Sequence, residues 1–91
     1  MTIAVTNVSR AGEYASIEVT NGTQRAAFLF SPGYVRVCSR NASNRAWGGL
    51  GREFTSMAEA REGYRSSAMQ GMMNAAEEWA NVNYYPQPVA A

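Results

Sequence analysis

Two turn signals placed a strand's length apart, Asn21-Gly22 and Ser31-Pro32-Gly33, constrain what this chain can fold into more than anything else in it. Asn-Gly suits a type I′ hairpin turn, whose two central residues both need positive φ. Pro32 fixes φ at the first central position of a type II turn, and Gly33 accepts the positive φ of the second. The flanking segments 2–9, 14–21, 23–30 and 34–40 alternate and are rich in β-branched residues, so they read as strands. Ile17 and Val19 share one face while Ser16, Glu18 and Thr20 look to water. Val35 and Val37 point to the core, which turns Tyr34, Arg36 and Cys38 outward. The pattern predicts an antiparallel meander of three to four strands.

A helix follows. Ser56 and Glu59 have the spacing of a capping box, in which each side chain satisfies a backbone N–H of the first turn. Met57, Ala60, Tyr64, Ala68, Met72, Ala75 and Trp79 then recur at three-and-four spacing, predicting one helix from about Met57 to Ala80 lying across the sheet. Gly63 and Gly71 inside it cost about 1 kcal/mol each relative to Ala. Met69 and Met73 flank the apolar face and read as core packing rather than a binding groove. Ser67, Gly71 and Ala75 form a small-residue stripe, read first as a helix-on-sheet contact and second as a homodimer surface. The prolines after Tyr85 end the helix, giving a single α+β domain over 1–85 and a flexible tail over 86–91.

Composition narrows the chemistry. The chain has 46% hydrophobic and 16% charged residues, enough for a packed core. It contains no His, Asp or Lys, so every cation is Arg and every anion Glu. Without imidazole there is no base for a Ser or Cys triad, and without Lys no Schiff base or P-loop contact. A single cysteine, Cys38, can build neither a disulfide within the chain nor a thiolate metal cage, and it reads as an inert small side chain. The expectation is a protein that is not an enzyme, holds no metal or cofactor, carries neither a secretion signal nor a membrane span, and works in the cytoplasm.

Charge is uneven although the net is only +1. Between Tyr34 and Arg52 stand Arg36, Arg40, Arg45 and Arg52 with no acid among them, interleaved with Tyr34 and Trp47. Arg and Tyr are enriched in binding hot spots, and Arg also pairs phosphates and stacks on bases. Tyr34, Arg36, Arg40, Arg45, Trp47 and Arg52 are therefore the candidate binding residues. An acidic protein patch and nucleic acid are both served by them, and a plain solvated face is the alternative to either. Trp47 and Leu50 also read as apolar anchors for the Asn-, Ser- and Gly-rich loop around them.

The run Arg45-Ala46-Trp47-Gly48-Gly49-Leu50-Gly51-Arg52-Glu53-Phe54, after the last strand and before the helix, resembles small proteins encoded by bacteriophages and other mobile elements. Those combine a β-meander, a Trp-Gly-x-x-Gly-x-x-Phe segment and a terminal helix. The resemblance spans roughly residues 34 to 68, and the long glycine-containing helix and Tyr-Tyr-Pro tail depart from it. It implies no catalytic residues. It implies instead a protein that binds and modulates a host protein or complex, as anti-CRISPR inhibitors do. A nucleic-acid-binding module or a homo-oligomeric structural protein is the alternative.

Overall fold

The computed structural model describes residues 2–41 and 51–85. Five strands form one antiparallel sheet in chain order: β1 (Ala4–Ala11), β2 (Tyr14–Thr20), β3 (Gln24–Ser31), β4 (Tyr34–Asn41) and β5 (Arg52–Phe54). Helices α1 (Met57–Gly63) and α2 (Ser67–Asn83) follow. The α+β arrangement is the expected one, with one strand more than sequence predicted. β5 is three residues long, too short for alternation to announce it.

The β3–β4 turn has the expected form, with Gly33 at φ 67° between paired Ser31 and Tyr34. The β2–β3 turn does not. Only Gly22 takes positive φ there, at 92°, so the type I′ turn is replaced. The Asn21 side chain is the cause: its Oδ1 accepts the backbone N–H groups of Thr23 at 2.9 Å and Gln24 at 2.8 Å. An amide side chain that supplies its own turn removes the need for a second left-handed residue. β1 runs on to Ala11 rather than stopping at Ser9, and its register shifts between Thr6 and Ser9, where Asn7 takes φ 49°. That is a bulge, with Asn7 and Val8 set against Ile17.

Alternation sorts the sheet into two faces. Ala15, Ile17, Val19, Ala26, Phe28, Phe30, Val35 and Val37 are buried on the inner one. α2 lies against β1, β2 and β3, and α1 against β4 and β5. Met69, Met72, Met73, Ala76 and Ala80 of α2, with Met57 and Ala60 of α1, complete the core.

The single helix expected from Met57 to Ala80 is two helices. Ser56 caps α1, its Oγ accepting the Glu59 N–H at 3.1 Å, while the Glu59 carboxylate reaches past the cap to the N–H and hydroxyl of Thr55. The backbone of Tyr64 is extended, at φ −135° and ψ 100°, and Ser66 caps a new start by accepting the Met69 N–H at 3.2 Å. Gln70 spans the break, its amide donating to the carbonyls of Arg61 and Tyr64. Restarting the helix shifts its phase. Met57, Ala60 and Met72 of the expected stripe are buried, Tyr64, Ala75 and Trp79 pack half-buried on the rim of the core, and Ala68 is half-exposed. All three of Met69, Met72 and Met73 are core residues, as expected.

Position 63, the last of α1, has no room for a side chain because the Phe54 ring fills the space: a Cβ there would stand 2.9 Å from the ring. In an open helix Gly→Ala gains about 1 kcal/mol. Here the sign inverts. Gly63→Ala is expected to lose about 1 to 3 kcal/mol by overpacking, read as a lower urea midpoint at unchanged slope.

Candidate functional site

The candidate surface is the outer face of the sheet, opposite the helices. Register assembles it in rows. Ser16 pairs with Leu29, Leu29 with Arg36, and Arg36 with Glu53; Glu18 pairs with Ala27 and Ala27 with Cys38; Thr20 pairs with Arg25 and Arg25 with Arg40. Ser16, Glu18, Arg25, Ala27, Leu29, Tyr34, Arg36 and Cys38 are all half-buried. Ser16, Ala27, Leu29, Arg36 and Cys38 border a shallow groove of about 260 Å³ at its centre. Gly51 lies directly against Arg36 and Cys38, since a Cβ on it would fall 2.5 Å from Cys38 Sγ.

Only part of the expected set shares this face. Tyr34 and Arg36 stand on it. Arg52 does not: paired with Val37, it sits on the helix side, where Nη1 donates to the Gly63 carbonyl at 2.7 Å. Its guanidinium lies 5.3 Å from the centroid of the Phe54 ring and 5.1 Å from that of Tyr64. A cation at a helix C-terminus and over two rings is a clamp between β5 and α1. Arg40 holds the register position opposite Arg25, and its side chain, with Arg45, Trp47 and Leu50, lies outside the described residues, as does the tail over 86–91.

Folding also changes the charge of the face. The run without acid between Tyr34 and Arg52 meets Glu53 directly across from Arg36, and Glu18 reaches Arg25 at 3.6 Å. Among the described residues the face is one of alternating sign rather than a continuous basic patch. Glu18, Arg25, Ala27, Leu29 and Glu53 were not among the candidates, because they lie outside the 34–52 window. The two-residue Pro32-Gly33 turn was the signal that could have found Leu29 and Arg25, since it fixes which residues of β3 stand beside Arg36 and Arg40. Among the described residues, no three of the side chains suited to hold a metal come together, and no helix is long and apolar enough to cross a membrane.

Four tyrosines are held above their ordinary value. Burial raises the Tyr34 hydroxyl, helped by the Glu53 carboxylate and opposed by Arg36. Burial likewise leads for Tyr64, whose hydroxyl donates to the Val37 carbonyl at 3.3 Å, for Tyr84, with Glu13 adding to it, and for Tyr85, beside Tyr84. A folded-state value above the unfolded value means that the fold holds the proton more tightly. This stability is fully present below pH 10.0, the ordinary tyrosine value, and is lost as pH rises through the raised values. Thermal melts are expected to be flat approaching pH 10 from below and to fall above it, tracking tyrosinate absorbance.

The chain matches no family model, no curated protein and no solved structure.

Proposed function

We propose that this chain is a non-enzymatic binding protein that docks the outer face of its sheet on a folded protein and alters that protein's activity. One observation carries the reading: the described helices cover one sheet face, while the other presents charges of both signs around the Ala27 and Leu29 groove. Alternating charge suits a protein surface, where complementary signs set orientation and exclude wrong partners. A phosphate backbone calls for positive charge without acids beside it. Glu18 and Glu53 therefore count against the nucleic-acid alternative.

The resemblance to small phage and mobile-element proteins makes the partner a host protein, a defence complex such as CRISPR-Cas being one instance. The test is affinity capture from host lysate with the wild-type chain and, in parallel, with the outer-face variant Ala27→Arg. The expected result is a protein held by the first and lost by the second. Nucleic acid retained by both, with affinity falling steeply with salt, would replace this reading.

A further inference from the structure

Three of the four strongly exposed large apolar side chains among the described residues lie along one side of the molecule. They are Ile3 at 38% exposure, against Gly71 of α2, Val8 at 51%, in the bulge of the edge strand β1, and Val82 at 73%, beside the groove between β1 and α2. That groove, of about 340 Å³, is lined by Val5, Ala75, Glu78, Trp79, Val82 and Asn83. Ile3 packs on Gly71 of α2, its Cδ1 3.0 Å from where a Cβ on Gly71 would stand. β1 is eight residues long, contains no Pro, and carries a single charge, Arg10. The bulge at Asn7 and Val8 divides this edge into two runs, residues 4–6 and 9–11, whose outward backbone groups are able to pair with another strand.

We propose that a second copy of this chain covers this side, the two β1 strands pairing antiparallel about a two-fold axis between Asn7 and Val8. The inference is independent of the outer-face reading, since it uses the edge of β1 and its groove with α2 rather than the groove at the centre of the outer face. Register supports it. Val5 and Arg10 pair with the buried residues Val19 and Ala15 and so lie on the helix side, whereas Ala4, Thr6, Ser9 and Ala11 lie on the outer side. Directly opposed residues of an antiparallel pair must share a face. An axis between Asn7 and Val8 sets Val5 against Arg10, Thr6 against Ser9 and Ala4 against Ala11, each pair matched. An axis through either residue would mismatch them all.

Charge selects this register from its neighbours two residues away. Arg10 of one copy comes to rest beside Val5 of the other, where Glu78 lines the groove. The two-fold gives that opposite-charge contact twice, and no acid on β1 opposes it. The area is also sufficient. β1 spans about 27 Å and α2 about 25 Å, and two such copies would bury on the order of 1,200 Å² in total, the lower end of stable interfaces. The two α2 helices would stand roughly 14 Å apart, three strand spacings, and Ile3, Trp79 and Val82 fill the gap that direct helix contact would close.

The experiment is sedimentation equilibrium on the full chain across the micromolar range. Wild type is expected to show a reversible monomer–dimer equilibrium. Arg10→Glu sets like charges together and should weaken it about tenfold, and Arg10→Glu with Glu78→Arg should restore it. Arg10 also donates to the Asn83 carbonyl of its own copy. Each variant is therefore checked for fold by circular dichroism, and Val82→Glu provides loss of the dimer without touching Arg10. A chain monomeric at every concentration overturns the proposal and leaves the edge to a strand of another protein. A dimer indifferent to Val82→Glu, or a double variant no tighter than Arg10→Glu alone, overturns it as well.

Discussion

Phe30→Ala is expected to leave the domain at the margin of unfolding. Phe30 is fully buried on β3, and its ring centroid lies 6.2 Å from Trp79, 5.8 Å from Tyr84 and 6.0 Å from Tyr85. Those contacts hold the C-terminal end of α2 to the sheet, so the substitution removes transfer free energy and the anchor of a helix end together. Phe→Ala in a packed core costs about 3 to 5 kcal/mol. A domain of this size has roughly 5 to 10 kcal/mol in all. Urea unfolding should show a midpoint reduced by about half, with loss of the Trp79 environment in the same transition. Tyr14→Ala, at a side chain 54% exposed, should stay within about 0.5 kcal/mol of wild type. A Phe30→Ala variant as stable as wild type would mean that the aromatic cluster does not hold α2 in place.

The second large effect is on binding. Ala27 sits mid-sheet on the outer face, between Glu18 and Cys38 in register. Replacing it by Arg raises a long side chain from the floor of the groove while giving Glu18 a further cation. Removing shape fit at the centre of a docking surface costs more than removing a rim charge. Affinity for the captured partner is expected to fall about a hundredfold, equivalent to about 2.7 kcal/mol, with the thermal midpoint nearly unchanged. Asn74→Arg, on the exposed side of α2, is the control and should bind as wild type does. Equal affinities for Ala27→Arg and wild type would remove the groove from the interface.

How far the sequence could be read follows from what each signal measures. Alternation reports burial, so the faces of β2, β3 and β4 were legible, including the outward position of Arg36. Helical spacing also reports burial, but it assumes an unbroken phase. The break at Tyr64 to Ser66 falls where Phe54, from a strand three residues long, packs against Gly63, a tertiary contact invisible to a local pattern. Asn21-Gly22 was read correctly as a turn and incorrectly as type I′, because the competing hydrogen bonds of the Asn21 amide depend on where Gln24 falls. The candidate surface was harder still. A window along the chain cannot show that Glu53 ends beside Arg36, or that Arg52, its neighbour in sequence, faces the other way to clamp α1.

Cys38 makes the docking of the outer face measurable without any substitution. It is the chain's lone cysteine, half-buried beside the groove, and Gly51 packs against it. Its rate of alkylation can be followed for the chain alone and with the captured partner at saturation. Docking through the outer face predicts alkylation slowed at least about tenfold in the complex, since a covered site reacts only in the fraction of time it is open. An unchanged rate at saturating partner would contradict it, and would place the bound protein elsewhere on the molecule.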